Sequence, residues 1–285
     1  MKKFFELYTS SLPQSTIERV GEIEGYTLRW FSGKSIVRFL PSEKEGLFFR
    51  LDRKEIAVSP QNIIFDEKHC TSLKSGLVEV RETEHVLSAV HGLGITNLVI
   101  EIEGSGEPPI MDGSSKPFVE VLLKSGIKRL SEKRREIRIV REFSFSLPGS
   151  ESFIRAEPFD GLFIDMTVDY PLPIGKQHLS ISVNPESYQK EIAFARPPLR
   201  CSIEEASEEK LKEWFRGWQE AKDSIVYYSK KEYLTPLRSE DEMVRHKILD
   251  FIGDIANIGF PIKGKFVCFK VGHRINGEFT RLFAS

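Results

Sequence analysis

Three polar residues recur along one apolar segment: His246, Asp250 and Asp254 stand at i, i+4 and i+8. In a helix over Glu240–Ile258 they would span only about 80° of the circumference. Val244, Ile248, Phe251, Ile252 and Ile255 give the same segment an apolar surface. An imidazole and two carboxylates among large apolar side chains are expensive to bury without a partner. A histidine and a carboxylate one turn apart can reach a single ion, as in other helical zinc motifs. A buried His–Asp hydrogen bond or a solvated polar face would produce the same spacing.

Two further pieces carry compatible chemistry. An open catalytic zinc takes three protein ligands and leaves a position for water. His85 can supply the third ligand, and Glu84 beside it can take a proton from water acidified by the metal. The Gly272–His273 pair follows a predicted strand, and a histidine there can point into a site. Protonated, His273 can stabilise an oxyanion or protonate a leaving amine, with Asp254 orienting its ring. His69, His91 and His178 lack such company and read as structural or surface residues.

These residues need elements to position them. Short β-branched or aromatic runs predict strands at Lys34–Leu40, Gly46–Leu51, Asn62–Phe65 and Leu77–Val80. Thr83–Val90 reads as a helix with Thr83 at its N-cap and Gly92 and Gly94 as stop signals. A strand at Asn97–Glu103, a turn-rich stretch and a helix near Phe118–Lys124 follow. Lys128–Glu136 contains no apolar residue except Leu130, so it reads as a solvated linker or crossover. It divides the chain into residues 1–128, carrying Glu84 and His85, and 129–285, carrying His246, Asp250, Asp254 and His273.

The second part predicts strands at Ile137–Phe143, Phe153–Glu157, Leu162–Tyr170 and His178–Val183, then a short helix near Pro185–Ile192. In Ser207–Ala221, Leu211, Trp214, Phe215 and Trp218 recur at helical spacing and read as a core stripe. A strand at Ser224–Ser229, the helix Glu240–Ile258, a strand at Lys263–Val271 and a closing segment complete the chain. Each half thus has several strands followed by helices, which implies two α+β domains of similar plan.

Bulk properties exclude several classes. With 285 residues, 40% hydrophobic and 29% charged, the chain can bury a core without disulfide support. A formal net charge of -1 gives no global pull toward nucleic acid or an anionic membrane. Three dispersed cysteines (Cys70, Cys201, Cys268) fit neither a disulfide framework nor a cysteine-rich metal knuckle. No apolar run approaches the roughly 20 residues of a membrane span, and the start has no signal-like apolar region. A cytoplasmic protein is expected.

Taken in order, the motifs resemble one family. TEHVLSAVHGLGITNLVIEIEGSGEPPIMDGSSKPFVE (Thr83–Glu120), VDYPLPIGKQ (Val168–Gln177), IAFAR (Ile192–Arg196), EDEMVRHKILDFIGDI (Glu240–Ile255) and GHRIN (Gly272–Asn276) are similar to segments of the zinc-dependent UDP-3-O-acyl-N-acetylglucosamine deacetylases of lipid A synthesis. The resemblance covers most of the chain from about Leu77 onward. It implies two similar α+β domains, helices sandwiched between outer β-sheets, and a metal site in the cleft between the domains. It implies hydrolytic removal of acetate from the sugar 2-amide, with a UDP-linked acylated amino sugar as partner; a monomer is expected. His85, His246 and Asp250 would be the zinc ligands, Glu84 the general base, and His273 the general acid or oxyanion stabiliser oriented by Asp254. Lys247 and Arg196 would contact substrate. Fe(II) shares the two-histidine, one-carboxylate ligand set.

Three departures accompany the resemblance. Phe31 stands where the family has histidine in an N-terminal turn, and Pro197–Pro198–Leu199 replaces Thr-Phe-Gly after Arg196. Arg200–Tyr228 carries a charged helix where the family builds its acyl-chain passage. Two other readings therefore stay open: a paralogue deacetylating a different N-acetyl sugar or amide, and a non-catalytic zinc-containing binding or regulatory protein.

Overall fold

The computed structural model describes residues 4–27, 33–65, 70–202, 207, 209, 210 and 222–284. Phe31, His69 and the aromatic stripe predicted within Ser207–Ala221 lie outside them. The chain opens with the long strand β1 (Phe5–Ile17). One sheet then takes β2 (Gly21–Tyr26), β3 (Lys34–Pro41), β4 (Gly46–Leu51), β5 (Lys54–Ala57) and β9 (Asn97–Glu103), in the order β2-β3-β9-β4-β5. A small antiparallel sheet of β6 (Ile63–Phe65), β7 (Thr71–Ser75) and β8 (Val78–Val80) precedes helix α1 (Glu84–Gly92). Helix α2 (Lys116–Lys124) follows β9.

Period-two alternation decides which face of the first sheet is covered. In β3, Ser35, Val37 and Phe39 are fully buried, while Arg38 points outward to Glu22 and Glu103. The buried face receives α2, whose Phe118 meets Phe39 edge-on at 6.5 Å.

The second sheet centres on β17 (Ile262–Phe269). It pairs antiparallel with β12 (Phe153–Glu157) and parallel with β13 (Leu162–Asp169); β11 (Phe143–Ser146) and β14 (Lys176–Val183) extend the two sides. Leu162, Ile164, Met166 and Val168 face inward. Against this face lie helix α3 (Glu242–Ile255) and helix α4 (His273–Arg281), the closing segment. Phe251 of α3 and Phe279 of α4 both pack on Phe266 of β17, at 5.7 and 6.0 Å. The fold is thus α+β, with its helices meeting between the sheets. Ser88 of α1 donates to the Leu249 carbonyl of α3 at 2.8 Å.

The charged stretch Lys128–Glu136 is not a linker. It forms the middle of β10 (Ile127–Ile139), antiparallel to β1 from Ile17–Ile127 to Phe5–Ile139, with irregular register between Thr9 and Ser15. β10 then pairs in parallel with the start of β17. Main-chain pairing requires no apolar side chain where a ribbon is largely solvated. Arg135 and Arg138 instead pair with Glu45 and Glu6 on its exposed surface. β15 (Pro198–Arg200) and β16 (Val226–Tyr228) form a separate parallel pair ahead of α3. Among the described residues no helix is long and apolar enough to cross a membrane.

Candidate metal centre

The site is made where α1 meets α3, and a glycine permits that meeting. A Cβ on Gly253 would lie 2.0 Å from the Glu84 carbonyl oxygen. The first turn of α1 therefore rests on bare backbone of α3, with Glu84 and His85 over the polar stripe of α3. Thr83 stands at the N-cap position as expected, but its hydroxyl does not cap the helix. Both its N–H and its hydroxyl donate to the Thr71 carbonyl at 3.0 Å, tying α1 to β7.

His85, His246 and Asp250 present ligand atoms that all lie within 4.8 Å of one another. His85 Nε2 and His246 Nε2 stand 3.6 and 3.2 Å from Asp250 Oδ1. His246 Nδ1 lies 3.1 Å from the Ala195 carbonyl; donation there directs the Nε2 lone pair at the common point. Asp250 Oδ2 accepts from Lys247 Nζ at 2.7 Å, whereas the buried Oδ1 has no hydrogen-bond partner among the described residues. An orphaned buried carboxylate oxygen beside two imidazole nitrogens is costly, and a divalent cation satisfies all three. The donor set therefore fits a zinc-type ion.

The charge states suit ligation. Burial pushes His246 down to about 3, keeping it neutral at ordinary pH. Burial raises Asp250, but His246, Lys247 and His273 outweigh it and hold the carboxyl well below its usual range. The expected substrate contact Lys247 thus has its ammonium on Asp250, and despite burial that carboxylate raises its pKa.

Two titratable groups flank this cluster. Glu84 Oε2 accepts the Thr71 N–H at 3.0 Å, and Oε1 lies 3.9 Å from His273 Nε2. Burial pushes Glu84 up to about 7. His273 opens α4, with Nδ1 3.0 Å from Asp254 Oδ2 and Nε2 3.7 Å from Asp250 Oδ2. Burial alone would lower His273, but Asp254, Asp250 and Glu84 together raise it to about 10. Asp254 is fully buried; it also accepts from Asn276 Nδ2 at 2.7 Å and from the Thr71 hydroxyl.

Arg196 does not join this group. Its buried guanidinium binds Glu242 through Nε at 2.9 Å and Nη2 at 3.1 Å, and reaches the Asp223 and Pro236 carbonyls. It braces the foot of α3 against the chain on either side of β16. His178 is exposed and sits 2.7 Å from Asp165. His91 faces a cavity of about 430 Å³, shared with Arg129, Arg134 and Lys263 at the far end of α1. Thr71 and Glu242 escaped the sequence reading. Nothing local distinguishes this threonine from others, and Glu242 belonged to a recognised motif without a role attached.

Residues 14–285 match the family model described as UDP-3-O-acyl N-acetylglycosamine deacetylase. The chain is similar to the UDP-3-O-acyl-N-acetylglucosamine deacetylase of Nitratidesulfovibrio vulgaris, at 37% identity over 279 residues, covering 94% of this chain and 87% of the relative. The protein of that name from Thioalkalivibrio sulfidiphilus is 35% identical over 255 residues, covering 86% and 81%. That of Brucella melitensis is 32% identical over 283 residues, covering 95% of each. A match running through both halves, joined to the cluster on α1 and α3, settles the affiliation: the chain belongs to the UDP-3-O-acyl N-acetylglycosamine deacetylase family.

Proposed function

We propose that the protein is a metal-dependent amidohydrolase that removes acetate from the 2-acetamido group of UDP-3-O-acyl-N-acetylglucosamine, a step of lipid A synthesis. The observation that carries this reading is the convergence of His85, His246 and Asp250 beside Glu84 and His273. Zinc suits the ligand set, and Fe(II) shares it. When bound, the ion polarises the amide carbonyl and acidifies water. Glu84 accepts a proton from the attacking water at Oε1, the oxygen that the Thr71 N–H leaves free. His273, protonated at Nε2, stabilises the developing oxyanion and then donates that proton to the amide nitrogen as the C–N bond breaks. The products are acetate and the free amine. Asp254 holds the His273 ring and favours its charged form. Lys247 fixes Asp250 and presents its ammonium to the polar portion of the substrate. Arg196 serves recognition indirectly, through the segment it braces. The same reading has the enzyme act in the cytoplasm as a monomer.

Purified protein incubated with the nucleotide sugar should release acetate, and Glu84→Gln should slow release at least about a hundredfold. Equal rates for parent and variant would reject the assignment. A second reading, a paralogue acting on another N-acetylated sugar, is favoured by Pro197. It stands two residues after the Ala195 carbonyl beside His246 and offers no hydroxyl. Turnover of a panel of N-acetyl sugars separates the two; a strong preference for the lipid A precursor ends the second.

A further inference from the structure

Thr71, the first residue of β7, is bonded to both sides of the proton-transfer pair. It is 3% exposed. Its N–H donates to Glu84 Oε2 at 3.0 Å, and its carbonyl receives both donors of Thr83, the residue before Glu84. Its hydroxyl donates to Asp254 Oδ1 and lies 3.4 Å from His273 Nδ1. Valine would fill the same volume without a polar atom. A buried hydroxyl is costly unless bonded, and this one is bonded to the carboxylate that orients His273.

Each bond removes one freedom from the site. With Oε2 held by a main-chain N–H, the Glu84 carboxylate is oriented so that Oε1 lies toward His273. With Oδ1 held by Thr71 and Oδ2 by Asn276, Asp254 keeps its plane and offers Oδ2 to His273 Nδ1 at 3.0 Å. That contact places the imidazole proton on Nδ1 and turns Nε2 toward the reaction. Because one residue makes both attachments, Thr71 ties base to acid directly, in addition to the α1–α3 contact at Gly253. A misplacement near 1 Å in such a pair costs about a hundredfold in rate.

We infer that Thr71 is a positioning residue that holds the general base and the general acid in register, its main chain fixing Glu84 and its hydroxyl fixing His273 through Asp254. The inference rests on the reading of Glu84 and His273 as the proton-transfer pair.

The test compares Thr71→Val, Thr71→Ser, Asp254→Asn and the Thr71→Val/Asp254→Asn double variant of the zinc-loaded protein, with UDP-3-O-acyl-N-acetylglucosamine as substrate. Thr71→Val should lower kcat about 10- to 100-fold, leave KM within about twofold and leave bound zinc unchanged. Thr71→Ser should recover kcat to within about threefold, and the double variant should be no more than about twofold slower than Asp254→Asn. Three results would overturn the inference: a Thr71→Val kcat near that of the parent, a serine variant as slow as the valine one, or losses that multiply in the double variant. Should Thr71→Val fail to fold, the ring-proton resonance of His273 in Thr71→Ala is read instead. A shift from the parent supports the inference, and an unmoved resonance overturns it. An inactive parent counts against the deacetylase reading, whereas an active parent indifferent to Thr71→Val counts against Thr71 alone.

Discussion

Gly253→Ala is the substitution for which the structure and helix propensity disagree in sign. Gly253 lies inside α3, and replacing an interior helical glycine by alanine ordinarily stabilises by about 1 kcal/mol. Here the new Cβ would lie 2.0 Å from the Glu84 carbonyl oxygen, 2.7 Å from its carbonyl carbon and 2.9 Å from its Cα. All three are main-chain atoms, so no side chain can rotate away. α1 must retreat from α3 by about 1 Å, an overpacking that costs about 1–3 kcal/mol. Contact with backbone puts the cost at the upper end, leaving a net destabilisation of about 2 kcal/mol after the propensity gain. For a chain of this size that lowers Tm by about 4–8 °C. The same retreat carries Glu84 and His85 away from His246, Asp250 and His273, so kcat/KM should fall about a hundredfold. Thermal melting and steady-state deacetylation of one preparation read both effects. A higher Tm together with kcat/KM within about threefold of the parent would refute the claim that helix contact through Gly253 sets the site.

Two further outcomes follow from the site's electrostatics. In the proposed mechanism Glu84 must be ionised to accept a proton and His273 protonated to donate one. The rate should therefore climb as Glu84 ionises through about 7 and decline as His273 loses its proton toward about 10. A pH–rate profile of kcat/KM checks this; His273→Gln should lose the alkaline limb, and a profile flat across neutrality contradicts the assignment. Arg196→Ala leaves fully buried Glu242 without its guanidinium and should destabilise by about 3–5 kcal/mol in a melting experiment. A raised KM at unchanged Tm would instead make Arg196 a direct substrate contact.

The helical period alone was enough to read the stripe His246, Asp250 and Asp254, because three positions four apart share a helix face wherever the helix sits. What that face meets is not local information. Glu84–His85 became significant only through the order of motifs along the chain, and its placement depends on Gly253, whose missing side chain leaves no pattern in hydropathy. Thr71 was invisible for the same reason: a threonine opening a short strand looks like any other until the fold brings Asp254, 183 positions away, to its hydroxyl. Lys128–Glu136 misled because strand formation was judged from side chains, while β10 is held by main-chain pairing to β1 across more than a hundred residues. Arg196 was read from its motif as a substrate contact; that motif gave no sign of the buried Glu242 carboxylate on which its guanidinium rests.

The central claim is that His85, His246 and Asp250 hold one metal ion on which deacetylation depends. The most direct measurement is acetate release from UDP-3-O-acyl-N-acetylglucosamine by protein stripped with a chelator and titrated with zinc, with bound metal counted in the same samples. The account predicts no release from stripped protein, recovery that saturates at about one zinc per chain, and neither zinc nor activity in His246→Ala. Acetate release that persists after stripping, or full zinc binding by His246→Ala, would contradict it.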